Sequence, residues 1–158
     1  MPGEPEPTVT LSAEHVTSQP LAAPTVRLRV LAAIGAGGAL GSLARYEVTL
    51  AVALGASGFP WATFLVNITG SLALGVLMTL VVERWPPTTY VRPFVGIGVC
   101  GGYTTWSTFM TDSILLMRGG HVLIAAGYLA ATLVCGLTAT MAGIWLSRLW
   151  PMDGRRAS

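Results

Sequence analysis

This sequence predicts an all-α membrane protein with four transmembrane helices, on three observations. Only 10% of its 158 residues are charged and 53% are hydrophobic, against roughly 25% charged in an ordinary soluble domain. Mean hydropathy is +0.65. Four apolar runs, each near the ~20 residues needed to cross a hydrocarbon core, are joined by connections too short to hold further elements. All nine basic residues are arginines that stand singly or in pairs between those runs, so the formal charge of +2 builds no nucleic-acid stripe. Cys100 and Cys135 lie inside apolar runs without metal-ligand spacing and read as small buried hydrophobes.

Residues 1–26 combine prolines, acids and small polar residues with no basic n-region. They are expected to form a disordered tail rather than a signal peptide, with His15 solvated. A four-helix transmembrane unit is expected over 27–149, followed by a short basic tail over 150–158. Its spans run from about Val30 to Val52, Trp61 to Val82, Phe94 to Met117 and His121 to Leu146. Connections this short make neighbouring spans antiparallel and put both termini on one side.

The first span carries Gly37-x-x-x-Gly41, a close-packing face, and then Arg45 and Glu47. Arg45 stands 16 residues beyond Arg29 in sequence, about 24 Å along a helix, short of the ~30 Å hydrocarbon thickness. It therefore falls at membrane depth, where a charge must snorkel, pair with Glu47 or face a wet vestibule that attracts anions. In the second span Thr63, Asn67, Ser71 and Gly75 recur every fourth residue, stacking one polar stripe on a helix face. Asn67 is the only carboxamide in any span; its NH2 group can donate to an anion or to a neighbouring helix.

The third span contains the stretch around which the chain is organised, GVCGGYTTWSTF from Gly98 to Phe109. Gly101 and Gly102 each cost roughly 1 kcal/mol of helix propensity relative to Ala, and hydroxyls offer the backbone competing partners. Two readings stay open. The helix breaks here, leaving carbonyls free in a buried or wet cavity where a cation can use them. Alternatively, Gly98 and Gly102 form a small-residue face while the hydroxyls bond back to their own helix. The fourth span repeats the stripe as Tyr128, Thr132, Gly136 and Thr140, so two polar stripes are placed to line a narrow path. His121, just after the Arg118-Gly-Gly connection, reads as interfacial.

No Cys/His/acid constellation, phosphate-cradling loop or paired membrane-depth carboxylate supports enzyme chemistry. Hydroxyls, one amide, aromatic rings and one arginine inside short-looped spans favour an ion pathway, and the arginine and amide donor favour an anion.

Three ordered motifs give this inventory a likeness. Residues 37–46 (GGALGSLARY), 62–67 (ATFLVN) with Gly70 and Ser71, and 98–109 resemble the Fluc/CrcB fluoride channel family over about Val30 to Leu149. The resemblance implies a passive fluoride-selective channel in a prokaryotic plasma membrane, working as an antiparallel dimer with two pores. It also implies a broken third helix and a structural sodium ion at the dimer centre, not transported. Such a channel lowers cytoplasmic fluoride that enters as uncharged HF and dissociates inside. Position by position, the resemblance implies that the Gly101 and Thr104 backbone carbonyls hold the sodium. Trp106 and Phe109 match the pore aromatics with Ser107 and Thr108 between them, Asn67 the pore asparagine, Arg45 the vestibule arginine, and Tyr128 and Thr132 the fourth-span polar track. Ring edges are electropositive and can replace part of an anion's hydration shell without holding it fast. Two positions depart from the family pattern: Trp106 stands where Phe is usual, and Ala62 where Gly usually precedes the threonine.

A small four-span proton-coupled drug antiporter is the competing class, but it needs a carboxylate deep in the first span. Glu47 comes late in that span. Charge also bears on orientation. The side carrying both termini holds Arg27, Arg29, Arg84, Arg92, Arg148, Arg155 and Arg156, seven against Arg118 and at most Arg45, which places the termini in the cytoplasm. An antiparallel homodimer requires a nearly balanced count, so the imbalance points to a second, homologous subunit of opposite topology, with this chain one member of a heterodimer, conducting or not; a dual-topology homodimer, in which arginines near wet faces count little, stays open beside it.

Overall fold

A computed structural model describes residues 24–53, 58–81 and 89–149. The expected N-terminal tail up to residue 23, parts of the first two connections and the basic end from residue 150 lie outside the described residues, and His15, Arg84, Arg155 and Arg156 lie there with them. The described chain is helical throughout, and three of its helices are long and apolar enough to cross a membrane.

Helix α1 covers Pro24–Ala53. It starts six residues ahead of the expected span and takes in residues 24–26 of the expected tail, because Pro24 suits a first helical position and no glycine or proline interrupts the approach from Thr25 to Val30. Gly58, at φ 77°, makes the turn that Phe59 and Pro60 complete ahead of α2, Trp61–Thr79. The third expected span is not one α-helix. Its first part, α3, is a π-helix over Arg92–Cys100 that runs into a single α-helical turn, Gly101–Tyr103. Helix α4 then covers Trp106–Arg118. The break falls at Thr104 and Thr105, just beyond the glycine pair expected to cause it; Gly101 and Gly102 themselves stay helical.

Helix α4 ends in a Schellman motif. Gly120, at φ 80°, donates to the Met117 carbonyl at 3.1 Å while His121 N–H reaches back to the Leu116 carbonyl at 2.9 Å. The left-handed residue is glycine, which adopts that backbone without Cβ strain. After this reversal α5 runs from Val122 to Leu149.

Helix α1 packs along α3, and α2 along α5, with α4 also against α5. Both long contacts are made by backbone. A Cβ on Gly37 would meet the Phe94 carbonyl oxygen, one on Gly41 the Val99 carbonyl, and one on Gly102 the Gly38 carbonyl. The Gly37/Gly41 face and the Gly98/Gly102 face thus interlock, so the small-residue reading of the third span holds together with the break. In the second pair, a Cβ on Gly75 would strike the Thr140 carbonyl and one on Gly143 the Leu72 carbonyl. Among the described residues the buried apolar side chains are few, Val66, Val81, Cys100, Phe109, Ala125 and Tyr128, whereas leucines such as Leu123, at 89% exposure, cover the outside, the distribution of a chain solvated by lipid.

Since neither glycine pair has a side chain that can move aside, Gly75→Leu or Gly143→Leu should destabilise the protein by at least the ~1–3 kcal/mol typical of overpacking. Gly127, with nothing within 4 Å of its would-be Cβ, should accept alanine. Thermal unfolding in detergent, followed by loss of the monodisperse size-exclusion peak, checks both.

Candidate functional site

Thr104 (φ −74°, ψ 155°) and Thr105 (φ −142°, ψ 115°) are extended residues between two helices. In a continuous helix the Thr105 N–H would bond the Gly101 carbonyl four residues back. Here it donates to Asn67 Oδ1 at 2.9 Å. The same carboxamide closes the pair from its other end, Asn67 Nδ2 donating to the Thr105 carbonyl at 3.1 Å. One polar side chain from α2 therefore satisfies both main-chain groups of one unwound residue. The Thr105 side chain then caps α4, its hydroxyl accepting from the Thr108 N–H at 3.2 Å and donating to Thr108 Oγ1 at 2.9 Å.

The diverted bond leaves the Gly101 carbonyl without an intrahelical donor. Three residues on, the Thr104 carbonyl meets, among the described residues, only Arg45 Nη1 at 3.5 Å, a distance at the weak end for a hydrogen bond. Arg45 is half-buried and is aimed at this carbonyl; no Arg45–Glu47 ion pair forms among the described residues. Unwound main-chain oxygens of this kind are the donors that sodium takes at membrane depth, so Gly101 and Thr104 fit the ion by their chemistry, although one chain brings only two oxygens. Nothing crowds Gly101: a Cβ there has open space within 4 Å, and the residue is exposed.

Beside the break lies a cleft of about 340 Å³ whose polar walls are Asn67 and Ser71 from α2, Thr104 and Thr105 from the break, and Thr132 and Thr140 from α5. Trp106, Phe109 and three leucines complete it. The two polar stripes thus converge as their four-residue spacing implied: Gly75 and Gly143 draw α2 and α5 into backbone contact, and the stripes open from there into the cleft. Several stripe hydroxyls are already committed. Thr132 donates to the Tyr128 carbonyl at 2.7 Å and Thr140 to the Gly136 carbonyl at 3.0 Å. What remains for an anion is the second Nδ2–H of Asn67, the Ser71 hydroxyl and the Trp106 indole N–H. Ser71 and Thr140 belong to the cleft, where their stripe spacing put them, although the resemblance gave neither a pore role.

Ser107 and Thr108 lie exposed on the first turn of α4, outside the cleft, and Trp106 is 70% exposed. Tyr128 is fully buried and belongs to a run of rings. Trp106 and Phe109 are 5.4 Å apart, Phe109 and Tyr128 5.1 Å, and Tyr128 meets Phe59 edge-on at 5.3 Å. The Tyr128 hydroxyl has no hydrogen-bond partner among the described residues; its polar neighbours Thr63 and Asp112 bond each other, Thr63 Oγ1 donating to Asp112 Oδ2 at 2.7 Å.

Apolar helices around a cleft of hydroxyls, one carboxamide and aromatic edges define a membrane protein of the ion-conduit class. No group of three or more His, Cys, Asp or Glu residues that could hold a metal occurs among the described residues. The chain belongs to the CrcB family: the family described as CrcB-like protein, Camphor Resistance (CrcB), matches residues 32–144. A relative from Nocardia farcinica, named fluoride-specific ion channel FluC 2, is 42% identical over 139 residues, 88% of this chain and 99% of the relative. One from Nitrobacter hamburgensis, named fluoride-specific ion channel FluC 1, is 45% identical over 118 residues, 74% of this chain and 94% of the relative. A longer one from Streptomyces avermitilis, named fluoride-specific ion channel FluC 3, is 43% identical over 124 residues, 78% of this chain and 61% of the relative. The family is one of ion channels, not enzymes.

Removing the cap of α4 by Thr105→Ala should cost about 0.5–2 kcal/mol while leaving the main-chain pair with Asn67 in place. A lower unfolding temperature without loss of the folded species is the expected result.

Proposed function

We propose that the chain is a subunit of a passive fluoride-selective channel that lets fluoride leave the cytoplasm of a prokaryote. The observation that carries the reading is the cleft beside the break, lined by donors from α2 and by Trp106 and Phe109, in a chain whose relatives are named fluoride-specific ion channels. Fluoride gives up its water only where donors replace it, and it moves on only where those donors are few. One free amide N–H, one hydroxyl and electropositive ring edges meet both conditions. For Thr132 to contribute, its hydroxyl must rotate away from the Tyr128 carbonyl.

In this reading α3 and α4 together form one crossing, giving four in all, and two copies or two homologous subunits pair antiparallel with their breaks face to face. Exposed Gly101, Ser107, Thr108 and Trp106 then meet the partner, with Ser107 and Thr108 as pore donors, Tyr128 as part of the polar track and Arg45 drawing anions into the vestibule. The Gly101 and Thr104 carbonyls of both subunits would hold a sodium ion, whose charge would offset the carbonyl dipoles that the break exposes and leave Arg45 free of Thr104. A proton-coupled antiporter is disfavoured by Glu47, which is exposed and close to the end of α1.

Protein reconstituted in liposomes should release fluoride down its gradient without a proton gradient, as read by a fluoride electrode; equal release of chloride, or release that depends on protons, would sink the reading. Asn67→Asp puts a negative charge where the anion passes, and the repulsion in a low-dielectric cleft should lower flux by orders of magnitude.

Gly101→Leu meets nothing inside the subunit, so any damage it does reports the partner. The expected outcome is a folded monomer that no longer dimerises or conducts. A dimer of wild-type stability would place Gly101 away from the interface.

Orientation follows from the arginines. The described ends of α1 and α5 carry Arg27, Arg29 and Arg148, and the start of α3 carries Arg92, against Arg118 at the end of α4. A single cysteine placed in the N-terminal tail, in a background without Cys100 and Cys135, should be labelled from the cytoplasmic side only. Comparable labelling in intact cells and inverted vesicles would instead make the protein a dual-topology homodimer.

A further inference from the structure

The hydrogen bonds at the break give Asn67 a task beyond lining the cleft. Its Oδ1 takes the Thr105 N–H at 2.9 Å, the one donor that would close the Gly101 carbonyl into the helix, and its Nδ2 holds the Thr105 carbonyl at 3.1 Å. Both bonds point the same way: Thr105 is kept extended, α3 stops at Tyr103, and the oxygens of Gly101 and Thr104 are left for another ligand. Elsewhere in the chain a threonine can bond its own helix without breaking it, as Thr132 does in α5 with the Tyr128 carbonyl at 2.7 Å. Hydroxyls alone therefore do not unwind this backbone, and the glycine pair stays helical. The feature unique to the break is the carboxamide opposite it.

We propose that Asn67 is the positioning residue of the cation site: by drawing the Thr105 N–H out of the helix it frees the Gly101 carbonyl, one of the two oxygens proposed to bind sodium, and so couples the anion cleft to the ion at the break. The inference rests on the sodium site of the proposed channel. It adds that one side chain serves both ions, with different atoms. The acceptor Oδ1 makes the sodium ligands available, and the remaining Nδ2–H faces the anion cleft. Without Oδ1 the Thr105 N–H returns to the Gly101 carbonyl, the helix extends by one residue, and a sodium ligand disappears.

The test separates the two atoms. Thermal stability of the purified full-length protein is measured across a sodium titration at constant ionic strength, with potassium as the replacement, alongside fluoride efflux from liposomes. Asn67→Leu should raise the sodium concentration for half-maximal stabilisation by about 10–100-fold, the loss that follows removal of a residue orienting metal ligands, and should abolish efflux. Asn67→Ala removes the same carboxamide without adding bulk and should give the same sodium shift, so the result stands even where the leucine variant fails to purify. Asn67→Asp keeps the acceptor for Thr105, and should retain the wild-type sodium midpoint within about twofold, well below that outer-shell loss, while losing efflux. A wild-type midpoint in the leucine or alanine variant overturns the inference and leaves the sodium site standing. So does an aspartate variant that loses the sodium response as fully as alanine. A wild-type protein with no sodium response removes the sodium site and this inference together.

Discussion

In hydrocarbon every main-chain N–H and C=O must find a partner inside the protein, and each that does not costs several kcal/mol. That constraint makes the pairing of Asn67 with Thr105 the contact on which the rest of this molecule depends. Unwinding two residues at membrane depth strands polar groups on both sides of the gap. A two-point match from a single carboxamide, a hydroxyl cap on the outgoing helix and a second bond from the Thr104 hydroxyl to the Cys100 carbonyl together offset the loss. Helix α2 must lie near enough for Asn67 to reach, and its backbone contact with α5 fixes that helix in place.

The sparing use of donors in the cleft follows from the same constraint. Threonines survive on membrane helices by bonding back to their own carbonyls, as Thr132 and Thr140 do, so a hydroxyl stripe is less generous to an anion than its composition suggests. A path whose donors are mostly committed binds weakly, and weak binding is what rapid passage requires. Trp106 and Phe109, at the start of the aromatic run, complete the lining together with three leucines and Gly136.

Much of this was legible in the sequence because period and residue size carry it. Four-residue spacing placed Asn67, Ser71, Thr132 and Thr140 on facing stripes, and glycines at intervals of four identified both packing faces. Less legible was anything decided by one element acting on another. Local propensity put the break at Gly101 and Gly102, but two threonines carry it, because Gly102 is held helical against Gly38 and the partner for the unwound residue comes from α2. The π-helical winding of Arg92–Cys100 has no mark in the residues themselves, and neither does the early start of α1. Ser107, Thr108 and Tyr128, joined to the pore by resemblance, sit outside the cleft of the single chain, on surfaces or in a core whose purpose only a partner would complete.

The reciprocal contacts of Gly75 with Thr140 and Gly143 with Leu72 have a thermal consequence. Where backbone meets backbone there are no rotamers to freeze, so α2 and α5 come together with almost no loss of side-chain entropy, and warming gives the seam little disorder to gain. These two helices should therefore behave as one stiff body across the working temperatures of the cell.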